Sequence, residues 1–268
     1  MMTADYTYRD IVRTYAQLGV RRGDTVLVAG NLGRLMNYEA TEKAAVPRAH
    51  FAALNDLLGP DGTIVVPTAS TNLCHTDIVF DPAGTASHKM GVFSEFVRRQ
   101  EGARRSFHPF VSYSAIGKHA DYITSNVARQ AFGPETPEAR LIELGTLHLA
   151  IGLPPRLTTA TNHHLEQVMG VPYRYAREFL HPVKRNGTVQ IEPFYLHVWY
   201  KGVQRDRNTK IFERFGARHP IPQVSLGRGI VSSYRMNDFY TTGIQMFRDD
   251  IFVWTSGQPE SKPYREWM

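Results

Sequence analysis

The 268-residue chain contains one cysteine, Cys74, which excludes an internal disulfide framework and a zinc site built from several thiolates. No apolar run approaches the roughly 20 residues that span a bilayer. The amino-terminal stretch MMTADYTYRDIVRTY lacks the apolar segment of a secretory signal. A soluble, cytoplasmic protein is expected, with no membrane partner. Also missing are GxGxxG after a strand, GxxxxGK followed by Ser or Thr, HExxH, GxSxG and CxxC. Dinucleotide and P-loop chemistry therefore lack their usual phosphate cradles, and no metal is expected. The basic residues form pairs (Arg21-Arg22, Arg98-Arg99, Arg104-Arg105, Lys184-Arg185) and never a run of five, so neither a polybasic tail nor a nucleic-acid module is expected.

What is present is ordinary globular material with a basic balance. The 31 Lys and Arg outnumber the 25 Asp and Glu by six, which favours an anionic partner, here a phosphate-bearing small molecule. Residues 6–18 place Tyr8, Ile11, Val12, Tyr15 and Leu18 on one helical face, closed by Gly19. A strand at 25–28, a helix at 43–58 and a strand at 63–66 follow, with turns short enough for a parallel βαβ crossover. Helices are expected at 92–100, 139–144 and 162–170, and strands at 110–116 and 147–153. Beyond Pro182 the pattern becomes antiparallel, with strands at 188–191 and 194–201, then helices at 207–215 and 237–248. Gly227-Arg228-Gly229 reads as a plain turn. No repeat or low-complexity linker divides the chain, so one α/β domain over 1–268 is expected, with a core at 1–180 and an antiparallel and helical annex at 181–268.

The most informative local signal is Asn162-His163-His164-Leu165-Glu166. On a helix, His163 and Glu166 share a face, whereas His164 points elsewhere. A carboxylate beside one imidazole nitrogen fixes the tautomer and raises the basicity of the other, as a general base near neutral pH requires. Such a pair on its own is more often structural, and a metal half-site lacks a matching second half.

Five blocks surround it. They are Leu18 to Val28 (LGVRRGDTVLV) with Asn31-Leu32-Gly33-Arg34-Leu35; Leu58 to Thr68 (LGPDGTIVVPT); and Met90 to Arg99 with Arg105-Ser106-Phe107-His108-Pro109, Ser112 and Ala115 to Lys118. Phe132-Gly133-Pro134-Glu135-Thr136-Pro137 with Ala139-Arg140-Leu141, and Val171-Pro172-Tyr173-Arg174-Tyr175, complete the set. In this order and spacing the chain resembles the aminoglycoside 3-N-acetyltransferase family, the antibiotic N-acetyltransferases unrelated to the GNAT fold. The resemblance runs from about residue 10 to 180 and weakens beyond.

The resemblance implies an α/β/α sandwich around a mixed central sheet, with acetyl-coenzyme A as acetyl donor and no metal. It implies that His163, paired with Glu166, deprotonates an acceptor amine that attacks the thioester directly, with Thr161 or Asn162 as a side-chain donor to the oxyanion. For coenzyme A it points to Asn31, Leu32 and Arg34 after the first strand, and to Ser106, His108 and Ser112. The chain departs from the family where Ala29-Gly30-Asn31-Leu32 stands in place of His-Ser-Ser-Leu, and in the Thr158–Asn162 stretch. Because aminoglycosides are polycations and the chain is basic, the expected acceptor is a biosynthetic or nucleotide-linked amine rather than a resistance target. The aromatics from Phe194 to Tyr200, with Tyr173 and Tyr175, are candidates for the acceptor wall, although core packing accounts for each singly. Two alternatives stand beside this expectation: a retired homologue that binds coenzyme A or a nucleotide without turnover, and an acyltransferase using Cys74. A homodimer is left open.

Overall fold

The computed structural model describes residues 4–42, 44–206 and 208–256. Helix α1 (Tyr8–Gln17) begins at a capping box in which Thr7 and Asp10 satisfy each other's backbone amides, and it buries Ile11 and Tyr15. Strand β1 (Thr25–Gly30) is buried along almost its whole length. Helix α2 (Ala45–Leu58) carries the chain to β2 (Thr63–Pro67), which pairs parallel with β1, so the expected βαβ crossover is present. Helix α3 (Val92–Arg98) and the two-residue β3 (Arg104–Arg105) lead to β4 (Tyr113–Gly117), antiparallel to β2. The strand expected from residue 110 starts later because the His108 ring accepts from the amides of Phe110 and Val111 at 3.3 and 3.1 Å.

Two short helices, α4 (Ala120–Thr124) and α5 (Pro137–Glu143), precede β5 (Leu147–Ile151), which lies parallel to β1 on its other side. Helix α6 (Thr161–Met169) then opens onto a long hairpin of β6 (Arg174–Arg185) and β7 (Thr188–Trp199). Helix α7 (Thr209–Arg218), strands β8 (Gln223–Leu226) and β9 (Gly229–Arg235), and helix α8 (Met236–Asp249) complete the described chain. The central sheet is mixed and seven-stranded, in the order β3-β4-β2-β1-β5-β9-β8. Alternate residues of its strands supply two cores. Val26, Val28, Ile64 and Val66 pack under α1 to α3, while Leu27 and Val65 pack under the later helices. This is an α/β/α sandwich.

The carboxyl-terminal third differs from its sequence reading in two ways. The segments expected at 188–191 and 194–201 merge into one strand, β7, which ends at Trp199, and its partner β6 begins at Arg174, before the expected boundary at 180. Pro182 and Pro193 lie opposite Ile191 and Leu180 in a two-stranded ribbon, where a missing amide is tolerated, so proline does not end either strand. In addition, β8 and β9, which the sequence did not mark as strands, extend the main sheet through β5, while the β6–β7 hairpin forms a separate antiparallel sheet. Gly227 and Gly229 flank the β8–β9 turn as expected; a Cβ on Gly227, whose φ is +57°, would lie 2.1 Å from the carbonyl oxygen of Leu35.

Candidate active site

The parallel strands β2, β1 and β5 run in one direction, and their carboxyl ends open on a cavity of about 560 Å³. Ala29 and Gly30 from β1, Pro67 from β2, and Leu153 just beyond β5 form its floor. Thr158, Thr159, Ala160 and His163 at the start of α6 form one side, with Phe132 beside them. The base of the β6–β7 hairpin closes the other side with Arg174, Leu196, His197, Val198 and Trp199.

His163 is the titratable group at the junction of these walls. Its side chain is 33% exposed, whereas that of Glu166 behind it is 1% exposed, with Nδ1 to Oε2 at 3.5 Å. The spacing of three on α6 brings the two together as the sequence implied. His164 turns away, its Nδ1 accepting from the Gly133 amide at 3.3 Å.

A third member was not singled out in the sequence. Arg174 Nη2 lies 2.6 Å from Glu166 Oε2 and donates to His163 Nδ1 at 2.9 Å. The Arg174 Nη1 donates to the His197 carbonyl at 2.6 Å, and the guanidinium sits 4.3 Å from the centroid of the Trp199 ring. A guanidinium can only donate, so His163 Nδ1 carries a lone pair in this arrangement. Burial holds the His163 imidazole below its ordinary pKa; Glu166 pulls it up, and the positive charge of Arg174 presses it down.

Thr161 lies on the same helix but faces the core. Its hydroxyl is buried and donates to Glu138 Oε1 at 2.6 Å, and Tyr113 donates to the other oxygen of that carboxylate at 2.5 Å. Asn162 is also buried, and neither residue lines the cavity.

Of the residues assigned to coenzyme A, only Ser112 reaches the cavity wall. Its hydroxyl donates to the Thr68 carbonyl at 2.9 Å and accepts from Arg105 Nε at 3.0 Å. Ser106 and His108 are buried and do not line the cavity. Ser106 Oγ accepts from the Tyr113 amide at 3.0 Å, and the His108 ring packs against Phe110 and Phe194. Asn31 caps the 3-10 turn Leu32–Leu35 by accepting from the Gly33 amide at 3.0 Å. Leu32 belongs to the core, and Arg34 is exposed outside the cavity wall.

Cys74 does not line the cavity, and burial pushes its thiol up, the reverse of thiolate activation. Among the described residues no group of three or more His, Cys, Asp or Glu is placed to hold a metal ion, and no helix is long and apolar enough to cross a membrane. Of the expected aromatic wall, Trp199 lines the cavity and Tyr173 supports it from the core at 5.0 Å in a stacked pair, whereas Phe194 anchors the hairpin. Trp199 stood among the aromatics expected for the acceptor wall, whereas His197 had only the periodicity of 194–201 to mark it, and Arg174 stood within the Val171–Tyr175 block without a role.

A family model described as aminoglycoside 3-N-acetyltransferase matches residues 35–248. Aminoglycoside N(3)-acetyltransferase III of Salmonella sp is 30% identical over 184 residues, which make up 62% of this chain and 62% of that relative, so the match spans less than two thirds of its length. The apoenzyme of aminoglycoside acetyltransferase AAC(3)-IVa superposes with a TM-score of 0.80 at 22% identity, covering 100% of this chain and 99% of that one. AAC-IIIb, in a structure titled as binary with CoASH, superposes with a TM-score of 0.77 at 22% identity over 94% of this chain and 99% of that one. At these identities the two structures establish the shared fold.

Proposed function

The chain belongs to the aminoglycoside 3-N-acetyltransferase family, and on that premise we propose that it transfers the acetyl group of acetyl-coenzyme A to a primary amine of an amino sugar or similar small molecule. One observation carries the reading: His163 stands on the wall of the cavity with the buried Glu166 3.5 Å behind its Nδ1.

The apolar floor and walls, from Ala29, Pro67, Met90 and Val111 to Leu196 and Val198, suit a pantetheine arm and an acetyl group. Among the described residues, His197 Nδ1 and Trp199 Nε1 on this wall are buried polar atoms without a hydrogen-bond partner, which fits a site built for a polar ligand. Acetyl-coenzyme A supplies an activated acyl carbon with a thiolate as its leaving group.

An ammonium group has no lone pair, so the acceptor becomes a nucleophile only when a base removes its proton. His163 takes that proton on Nε2, which requires the tautomer with hydrogen on Nδ1. Glu166 Oε2, 3.5 Å from Nδ1, would hold that hydrogen, whereas in the present arrangement Arg174 donates to Nδ1, so base action requires Arg174 to release Nδ1 to Glu166. The amine nitrogen then forms a bond to the acyl carbon and the carbon–sulfur bond breaks. The nitrogen sheds its second proton to the departing thiolate, and the proton held by His163 passes to solvent. Holding both reactants in one walled cavity makes the attack effectively unimolecular.

Incubation with acetyl-coenzyme A and a set of amines tests this reading, with free thiol and acetylated amine measured together. The names of the relatives make an aminoglycoside the first acceptor to include. Equimolar thiol and N-acetyl product supports the reading. Binding of acetyl-coenzyme A without product from any amine would instead leave a retired binding protein.

A further inference from the structure

Among the described residues, the cavity wall contains no aspartate or glutamate, but it contains Lys89, Arg174, Arg205 and two histidines. Two buried carboxylates lie behind the wall: Glu166, matched by Arg174 at 2.6 Å, and Glu138, which accepts from Tyr113 and Thr161. Arg174 and Glu166 are neutral as a pair, and among the described residues no ion pair is formed by Lys89 or Arg205. The two lie in different parts of the wall. Lys89 adjoins Met90 in the chain, beside the β1 floor, whereas Arg205 holds its guanidinium 5.6 Å from the centroid of the Trp199 ring. Trp199 is the same ring that Arg174 covers at 4.3 Å, so Arg205 belongs to the end of the cavity that holds His163.

A polycation is poorly served there. Each additional ammonium brought within about 6 Å of a fixed guanidinium, in a half-enclosed site, weakens binding by something on the order of tenfold. The net charge of +6 adds long-range repulsion. An anion meets the opposite field, and the planar fork of Arg205 matches the oxygens of a phosphate or carboxylate.

Resting on the acetyltransferase reading above, we propose that the acceptor is a monoamine that also carries an anionic group, phosphate or carboxylate, and that Arg205 binds this group while the amine faces His163. Transfer then consumes an amine made by a reaction that leaves a phosphate or carboxylate on the same small molecule.

Two matched pairs provide the test: glucosamine against glucosamine 6-phosphate, and ethanolamine against phosphoethanolamine, with gentamicin as the polycation. The proposal predicts that the phosphate raises kcat/KM at least tenfold in one pair or both, and that gentamicin falls below the better phosphorylated amine. Arg205→Ala collapses the phosphate ratio toward one, Arg205→Lys retains most of it, and Arg205→Glu inverts it. The KM for the phosphorylated amine rises with salt. Preference for gentamicin, a flat ratio in the wild type, or a ratio unchanged in Arg205→Ala would overturn the proposal and leave the acetyltransferase reading standing. So would an Arg205→Ala effect confined to the KM of acetyl-coenzyme A, which would assign this arginine to the donor. Absence of thiol release with all five amines would overturn both.

Discussion

Arg174 Nη2 donates to His163 Nδ1 at 2.9 Å while lying 2.6 Å from Glu166 Oε2, so the cation contacts both the imidazole and the carboxylate. The two neighbours act on His163 in opposite senses. Glu166 favours an imidazolium at His163, and Arg174 disfavours it.

The sign of the pH effect follows. His163 works as a base only when neutral, and its pKa lies below the ordinary value near 6.5. Activity is therefore expected to persist below pH 6.5 and to fall as pH drops through the lowered pKa. Arg174→Met removes a positive neighbour, so the acid limb of kcat/KM moves to higher pH. Arg174→Lys keeps the charge and holds the limb close to its wild-type position. The unpaired Glu166 in Arg174→Met costs about 3–5 kcal/mol of stability, so the profile is measured well below the unfolding temperature. A purely structural role for Arg174 would lower the rate at every pH and leave the limb unmoved.

Thr161 offers a second test, because its hydroxyl is bound to the buried Glu138 rather than turned to the cavity. Burial pushes the Glu138 carboxyl up, against the two hydrogen bonds from Thr161 and Tyr113 that pull it down. Thr161→Val removes one of these bonds and is expected to cost about 1–3 kcal/mol in denaturant unfolding. The loss falls on stability and not on kcat. A drop in kcat of about a hundredfold at unchanged stability would place this hydroxyl at the oxyanion instead.

Buried neutral histidines make the fold acid-sensitive. Burial lowers the pKa of His50, His108 and His148 to about 3 in each case. The unfolded chain binds protons at these sites near pH 6.5, so between pH 6.5 and 3 it holds more protons than the folded chain. Stability is lost as pH falls through this window, by up to about 1.4 kcal/mol per pH unit for each histidine. Urea unfolding at pH 7 and pH 5 is expected to show a drop of several kcal/mol; equal midpoints would contradict the burial of these rings.

The legible parts of the molecule were those set by local rules. The α1 periodicity, the turn at Gly59 to Gly62 and the apolar strands β1, β2 and β5 all follow from side-chain pattern and turn chemistry. The His163–Glu166 pair was legible because a spacing of three on one helix needs no tertiary information. Arg174 was not, since it reaches His163 from another element across eleven positions of sequence. Strand β6 was hidden because its hairpin exposes much of both faces, so Arg177, Glu178 and Lys184 interrupt any alternation. Ser106 and His108 carry a pattern that a donor site and a buried turn share equally; only their burial and amide partners separate the two readings.

The central claim is that His163 is the base for transfer from acetyl-coenzyme A. Its most direct test is the initial rate of thiol release by the wild type and by His163→Ala with the same amine at the same pH, with acetyl-coenzyme A affinity measured in parallel. The account predicts a loss of about 10²–10⁴-fold in rate with donor affinity preserved, the range that a positioned general base supplies. Equal rates in the two proteins would contradict it.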